Sequence, residues 1–165
     1  MKRLILARHA KSSWDYPELD DFERPLNPRG RKDAPVMAIR LKHLNVKPDL
    51  IWSSPAVRAV TTARIFAATL HFPLHNILYS ESIYSDSHSD LIQAIKKIPD
   101  HHQQVMIVGH NPVLTSLVNY LIKETIDNVP TAGVVGISFN DMRWNALGNH
   151  NGEVDFFEFP KKGKS

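Results

Sequence analysis

Residues 104–112 read QVMIVGHNP and carry the strongest indication of the fold in this chain. The first six of them form a short, nearly continuous apolar run, which is typical of a strand buried on both faces of a parallel sheet. The Asn-Pro pair predicts a helix start, because Asn111 can accept from free backbone N–H groups as N-cap and Pro112 suits the first helical position. We therefore expect a strand over 104–109 and then a helix to about Lys123, the repeating unit of an α/β fold.

The same alternation of apolar runs and amphipathic stretches fills the rest of the chain. Apolar runs predict further strands over residues 4–7, 49–53, 77–79, 134–139 and 154–159. Apolar residues at three- and four-residue spacing predict further helices over residues 28–44, 56–70 and 89–98. Strands that alternate with helices predict an α/β fold, a three-layer α/β/α sandwich with a mostly parallel central sheet.

Composition is that of a globular protein. Of the 165 residues, 42% are hydrophobic and 22% are charged, so we expect one domain over residues 1–160. No stretch approaches the roughly 20 apolar residues of a membrane-spanning helix. The first apolar run is interrupted by Arg8 and His9, too early for a signal peptide, so we expect a cytoplasmic protein. Cysteine is absent, which excludes disulfides, thiolate catalysis and cysteine-ligated metal sites.

The excess of positive charge lies at the C-terminus. The formal net charge is +3 and the sequence pI is about 9.2. Lys161, Lys162 and Lys164 stand among the last five residues, and without their three charges the formal net charge is zero. We therefore expect residues 161–165 to form a basic, solvated tail, and we expect neither a nucleic acid nor a membrane as partner.

Ionic and reactive side chains follow the ends of four predicted strands. The first strand is followed by Arg8 and His9, and the second ends at Ser53 and is followed by Ser54 and Arg58. The third is followed by Glu81, and the fourth by His110 and Asn111. Ligands of open α/β sheets bind at the carboxyl ends of the strands, so we expect these side chains around one crevice. Neutral imidazole can attack phosphorus, and guanidinium binds two phosphate oxygens at once. Two arginines and a second histidine suffice for phosphoryl chemistry without a metal ion.

Other types of site lack their sequence patterns. There is no HExxH, no GxGxxG, no GxxxxGK[ST] and no GxSxG. His71 and His75 are separated by Pro73, which disfavours the helix that would bring them together. The adjacent pair His101 and His102 is predicted in a loop. We therefore expect no metal and no cofactor.

Four motifs in this chain resemble a known family. They are LARHAKSSWD at 6–15, RPLNPRG at 24–30, SSPAVRAVTTA at 53–63 and VGHNP at 108–112. In this order they resemble the histidine phosphatase superfamily, which includes the cofactor-dependent phosphoglycerate mutases, and within it the small SixA-type phosphohistidine phosphatases. The resemblance implies a phosphoglycerate mutase-like fold and a phosphatase.

The resemblance also implies roles for individual residues. His9 would be the nucleophile that becomes transiently phosphorylated, Arg8 and Arg58 would hold the phosphoryl oxygens, and His110 would hydrogen-bond the phosphoryl group. Arg24 matches a further phosphate-contacting arginine of the small members. Its alternative is a purely structural salt bridge to a nearby acid: Asp20, Asp21 or Glu23.

One position departs from the superfamily pattern, and another has two possible roles. The usual Arg-His-Gly is Arg-His-Ala here, and the methyl group of Ala10 is expected beside the phosphate; the small phosphohistidine phosphatases share this tolerance of Ala. Trp14 matches the mutase motif, with capping of the core edge as the alternative.

The general acid is the least determined part of the site. Glu81, three residues before Tyr84, matches the spacing of the mutases' proton donor and is our first candidate. Asp86 is an alternative, and a third possibility is that neither residue acts. The imidazole of phosphohistidine leaves readily and needs less help from an acid than an alkoxide does.

Chain length bears on the substrate. Larger members insert a lid after the second helix, whereas only about ten residues separate Leu70 from Glu81 here. With little to cover the pocket, we expect a phosphorylated protein, dephosphorylated at phosphohistidine, as substrate. The alternatives are a small phosphorylated molecule, with the chain as a phosphomonoesterase, and a non-catalytic phosphate- or phosphoprotein-binding module; a mutase fits less well. The sequence leaves the oligomeric state open.

Overall fold

The computed structural model describes residues 1–162. The strands are β1 Lys2–Arg8, β2 Leu50–Ser53, β3 Leu78–Tyr79, β4 Gln104–Gly109, β5 Val134–Phe139 and β6 Glu153–Glu158. The α-helices are α1 Pro28–His43, α2 Val57–Thr69, α3 His88–Lys96 and α4 Val113–Leu121. Two short 3₁₀ turns, Asp21–Glu23 and Glu81–Ile83, lie between these elements near the site.

The predicted elements are all present. β4 and β5 begin and end at the predicted residues, and the other elements differ from prediction by one or two residues at an end. The prediction that Asn111 is the N-cap of α4 is wrong, because Pro112 stands at that position without a side-chain cap. Asn111, one residue before the N-cap, nevertheless has a capping role. Its Oδ1 atom accepts from the backbone N–H of Thr115 at 3.2 Å, which is a free donor of the first turn.

The six-stranded sheet has the order β3-β2-β4-β1-β5-β6. The pairings β1 with β4, β2 with β4 and β2 with β3 are parallel, whereas β5 is antiparallel to both β1 and β6. β5 is reversed because residues 122–133 bring the chain back to the carboxyl end of β1, where the Arg8 N–H donates to the Gly133 carbonyl at 2.9 Å. The predicted mostly parallel sheet is confirmed, with one reversed strand.

Two apolar clusters cover the two faces of the sheet. Successive residues of β1 alternate between them, since Leu4 and Leu6 pack in one cluster and Ile5 and Ala7 in the other. Buried residues of α3 and α4 complete the first cluster, and those of α1 and α2 complete the second. The three-layer α/β/α architecture predicted from the sequence is therefore confirmed.

The segment after β1 packs tightly against the start of α1. A Cβ atom on Gly30 would lie 2.1 Å from the Lys11 carbonyl oxygen, so no larger residue fits there without moving the backbone. The Asn27 side chain accepts from the Gly30 N–H at 2.8 Å and begins α1 at that point. This close approach fixes the path of the chain that leaves His9.

The described residues after β6 include part of the basic tail. The Lys162 Nζ atom lies 3.0 Å from Glu158 Oε2 and donates to the Phe157 carbonyl at 2.6 Å, so this lysine is held against β6. Lys164 and the other residues of 163–165 lie outside the described residues. Within 1–162, no helix has both the length and the apolar composition that crossing a membrane requires.

Candidate active site

A cavity of about 480 Å³ opens at the carboxyl ends of β1, β2 and β4. Five residues predicted for the site line it: Arg8, His9, Arg24, Arg58 and His110. Across its described lining, the cationic side chains of these arginines and Lys11 outnumber the acidic ones of Asp21 and Asp86. The cavity thus favours an anion. A wider depression of about 630 Å³, beside Lys123 and His150, lacks both buried histidines.

His9 immediately follows β1 and is 7% exposed. Its Nδ1 atom lies 2.7 Å from the Ala10 carbonyl oxygen, which only accepts, so Nδ1 carries the ring proton. Burial lowers the pKa of His9 to about 3. The hydrogen bond with Ala10 acts in the opposite direction and raises the pKa, whereas the positive charges of Arg58 and Arg8 lower it further. The ring is therefore neutral at physiological pH, and the hydrogen bond that it makes within residues 1–162 uses Nδ1 and leaves the unprotonated Nε2 free.

His110 follows β4, and its ring centroid lies 5.1 Å from that of His9. Burial, reinforced by the charge of Arg58, lowers the pKa of His110 to about 4. Its Nε2 atom lies 2.7 Å from the hydroxyl of Ser54, which already accepts from the Ala56 N–H at 3.1 Å.

This arrangement assigns the tautomer of His110. The Ser54 side chain is fully buried, and within the described part of the chain the His110 Nε2 atom is the acceptor available to its hydroxyl proton. Ser54 therefore donates to Nε2, which leaves the ring proton on Nδ1. That N–H is buried and has no partner among residues 1–162, so a ligand oxygen is needed to satisfy it.

Two arginines also have unused donors. The Nε atoms of Arg8 and Arg58 are buried and have no partner in the described part of the chain. Arg8 donates one bond, at 3.0 Å, to the Val129 carbonyl. Arg58, in the first turn of α2, is 5% exposed. Because buried guanidinium donors are costly to leave unpaired, both side chains are suited to bind an oxyanion.

Asp21 links two arginines that line the cavity, Arg24 and Arg58. The sequence analysis did not predict it as a site residue. Arg58 donates to its backbone carbonyl at 2.5 Å and to its Oδ2 at 2.8 Å. The Tyr84 hydroxyl donates to the same Oδ2 at 2.8 Å, and Arg24 donates to Oδ1 at 3.2 and 3.3 Å. Burial alone would raise the pKa of Asp21, but the hydrogen bonds from Arg58 and Tyr84 outweigh it and lower the pKa to about 2.

The salt bridge given as the alternative for Arg24 is present, and the same side chain also reaches the cavity. The salt bridge is made to Asp21. The Nη1 group also donates to the Ser12 hydroxyl at 2.9 Å and to the Ser13 carbonyl at 3.3 Å. Most of its donors are therefore used within the chain, which leaves Arg24 less capacity for an anion than Arg58 has.

We expect Asp21→Asn to lower the free energy of unfolding at neutral pH by about 1–2 kcal/mol, because buried Arg58 loses an ionic acceptor. The effect is no larger because the Asp21 side chain is 53% exposed and solvent weakens the ion pair. Urea unfolding of the wild type and the variant measures this difference. Glu23→Gln, in the same turn, is the charge-matched control. Because the folded-state pKa of Asp21 is below its ordinary value, the difference should shrink as the pH falls from about 4 towards about 2. A difference equal to that of the control would contradict the role of Asp21.

Glu81 does not line this cavity. It is exposed at the start of its 3₁₀ turn and borders a separate depression with Trp52 and Gln93. The turn buries Ile83 in the core and brings Tyr84 to the cavity, which leaves Glu81 on the outer side. The prediction that Glu81 faces the other strand-end residues is therefore wrong, whereas the alternative, Asp86, does line the cavity.

Two expectations about the first motif also need correction. The Ala10 side chain packs in the apolar cluster with α1 and α2 rather than beside the cavity, and its N–H donates to Thr62 Oγ1 at 3.0 Å. Trp14 does not cap the core, because it is 75% exposed at the cavity.

Within residues 1–162, no three His, Cys, Asp or Glu side chains are grouped so that they could hold a metal ion.

Sequence comparison finds one family model and curated relatives of this chain. Residues 4–77 match the model of the histidine phosphatase superfamily (branch 1). An uncharacterized chloroplastic protein of Arabidopsis thaliana is 39% identical over 119 residues, which are 67% of this chain and 54% of that protein. The chain thus spans about half the length of this relative.

Solved structures match over nearly the whole chain. The SixA protein of Agrobacterium tumefaciens superposes with a TM-score of 0.82 at 27% identity, over 96% of this chain and 98% of that one. A protein histidine phosphatase SixA solved with tungstate has a TM-score of 0.81 at 20% identity, over 96% of this chain and 97% of that one. The second similarity concerns the fold alone.

Proposed function

We propose that the chain is a member of the histidine phosphatase superfamily, whose model its residues 4–77 match, and that it is a metal-independent phosphatase that acts through a phosphohistidine on His9 and dephosphorylates phosphohistidine in proteins. The observation that carries the proposal is a neutral, buried His9 with a free Nε2, in one cavity with Arg8 and Arg58. Binding an anion would need the arginines but not an unprotonated imidazole beside them, so this combination favours catalysis over binding alone.

Binding is the first step of the proposed reaction. The phosphoryl oxygens accept from the unused N–H groups of Arg8 and Arg58 and from the Nδ1–H of His110. Each of these donors is buried without a partner, so the phosphoryl oxygens supply the acceptors that they lack. Donors fixed in advance also stabilise the charge that the equatorial oxygens carry in the transition state.

Transfer to His9 is the second step. The Nε2 lone pair attacks phosphorus in line, the bond from phosphorus to the leaving group breaks, and the leaving group takes the bonding pair. The Nδ1 proton stays on His9, where the Ala10 carbonyl at 2.7 Å stabilises the positive charge that develops on the ring. Water then attacks phosphorus on the opposite side, the bond to Nε2 breaks and inorganic phosphate leaves.

The acids around the cavity support a substrate with a good leaving group. The Asp21 carboxyl, with a pKa of about 2, is ionised at neutral pH and cannot donate a proton there. Asp86 is exposed at the cavity, and Glu81 lies outside it. An alkoxide leaving group gains typically 10²–10⁴-fold from a positioned acid, whereas the imidazole of phosphohistidine leaves with less help.

The test is phosphate release from a phosphohistidine peptide, an aryl phosphate and an alkyl phosphate in excess EDTA. We expect release from the first two, slower release from the alkyl phosphate, and no effect of EDTA. A short reaction with ³²P-labelled substrate, stopped in alkali, should leave label on the chain, since phosphohistidine withstands alkali. Loss of activity in EDTA, or turnover without any labelled chain, would refute the mechanism.

The acid limb of the pH profile should lie unusually low. kcat/KM reports the ionisation of the free protein, where burial lowers the pKa of His9 to about 3. After correction for the second ionisation of the substrate, we therefore expect kcat/KM to stay flat from about pH 8 to about pH 5 and to fall only near pH 3–4. A decline of unit slope centred near the ordinary histidine value of about 6.5 would show that His9 is not held neutral by burial.

A further inference from the structure

Trp14 is the most exposed of the large hydrophobic side chains described, with 75% of its surface accessible. It lies at the cavity that contains His9 and His110. An indole so exposed gains little from folding, but it offers a large flat apolar surface to a ligand that covers it. Its position beside the phosphoryl site makes the phosphorylated substrate the ligand to consider.

One face of Trp14 is already occupied by a fixed cation. The Arg24 guanidinium carbon lies 3.6 Å from the centroid of the indole ring. Arg24 is 8% exposed and is itself held by Ser12, Ser13 and Asp21. The indole is thus stacked on a rigid support, and its exposed surface lies on the remaining sides.

A short chain of contacts connects Trp14 to the phosphoryl site. Arg24 contacts Asp21 Oδ1 at 3.2 Å, and Asp21 Oδ2 contacts Arg58 at 2.8 Å. Trp14 is therefore separated from Arg58 by one guanidinium and one carboxylate. In a transfer in line with His9, the leaving group points away from the buried histidine and towards the open side of the cavity, where Trp14 lies.

We propose that the free face of Trp14 is a stacking site for a planar ring bonded to the phosphoryl group through nitrogen or oxygen, such as an imidazole or an aryl group. This inference rests on the proposed function and adds a determinant of specificity to it. An aliphatic leaving group has no flat face and cannot use the site. Trp14 then selects ring-bearing substrates over alkyl phosphates that bind the same arginines.

Other aromatic side chains nearby do not offer such a face. The Tyr84 ring packs in edge geometry against Phe22 and His110, with ring centroids 5.5 and 5.3 Å apart. Its hydroxyl donates to Asp21. Tyr16 is 48% exposed but does not line the cavity. Tyr16→Ala is therefore a matched control, because it removes a neighbouring exposed aromatic ring without changing the cavity lining.

The kinetic test compares phenyl phosphate with glycerol phosphate in the wild type, Trp14→Ala, Trp14→Phe and Tyr16→Ala. We expect Trp14→Ala to lower kcat/KM for phenyl phosphate roughly tenfold, with less than about a twofold change for glycerol phosphate. Trp14→Phe should restore most of the loss, and Tyr16→Ala should change neither substrate. An equal loss for both substrates would mean that Trp14 only supports Arg24, and no loss would mean that it contacts no substrate; either result overturns the proposal.

A binding test separates this inference from the proposed function. Phenylphosphonate and methylphosphonate carry the same anionic group, cannot be hydrolysed, and differ in the ring. We expect the wild type to bind phenylphosphonate more tightly, and Trp14→Ala to lose that preference even if no substrate is turned over. Turnover without the preference overturns the stacking site alone. The preference without turnover overturns the proposed function but leaves the stacking site, and binding of neither phosphonate overturns both.

Discussion

Replacing His9 with Ala will abolish turnover: we expect kcat/KM for a phosphohistidine peptide and for an aryl phosphate to fall by ~10⁴-fold or more. The reason is that Nε2 of His9 forms the bond to phosphorus, and the other buried histidine cannot replace it. His110 directs its own Nε2 to Ser54 at 2.7 Å and holds its proton on Nδ1, so neither of its nitrogens is free to attack. The same assays and the alkali-stable ³²P label measure the effect.

The His9→Ala variant should remain folded and should still bind phosphate. The unused donors of Arg8 and Arg58 do not depend on the His9 ring, so inorganic phosphate should bind with an affinity close to that of the wild type. His43→Ala, at the exposed end of α1, is the control for loss of a histidine and should retain full activity. Residual turnover near the wild-type rate, or label on the chain without His9, would contradict the nucleophile assignment.

Much of the fold follows from the sequence because its signals are local. Apolar runs within single segments predicted every strand, and apolar spacing or a local start signal predicted every α-helix. The reversal of β5 could not be predicted in this way. It depends on where residues 122–133 bring the chain, and a hydrogen bond between Arg8 and Gly133 records that path.

The site was predictable where its residues follow strand ends directly. His9 and His110 directly follow β1 and β4, and Arg58 stands in the first turn of the helix after β2. They reach one cavity because the carboxyl ends of parallel strands meet at one edge of the sheet. Asp21 has its partners 37 and 63 residues away, in Arg58 and Tyr84, so no spacing within its own segment indicates it. Its separation of three residues from Arg24 was the available signal, and such pairs are common on protein surfaces.

Glu81 shows the limit of reasoning from strand ends. Its position after β3 is as predicted, but Glu81 begins a three-residue 3₁₀ turn, and a strand-end position does not say which way such a turn faces. Ile83 is buried in the core, Tyr84 lines the cavity, and Glu81 borders a separate depression on the outer side. A motif that matches in spacing can therefore miss the site when the local structure is a tight turn.

Loss of Arg58 should have the second largest effect. We expect Arg58→Ala to lower kcat/KM by ~10²–10³-fold, because this guanidinium stabilises charge on the phosphoryl oxygens more strongly in the transition state than in the bound substrate. Part of the loss should appear in KM and part in kcat, since the same donors serve both states. Arg64→Ala, exposed on the same helix, removes the same charge and should stay within about twofold of the wild type.

Arg58→Lys separates charge from geometry. A lysine keeps the positive charge, but its single ammonium group cannot contact the Asp21 carbonyl, the Asp21 carboxylate and a phosphoryl oxygen as a guanidinium can. We therefore expect Arg58→Lys to recover little of the loss. The charge of Arg58 also lowers the pKa values of His9 and His110, so Arg58→Ala should move the acid limb of the pH profile upwards, while Arg58→Lys should leave it near the wild-type position. Full recovery by lysine would mean that Arg58 acts as a point charge, and an acid limb unmoved in Arg58→Ala would mean that its charge does not reach the nucleophile.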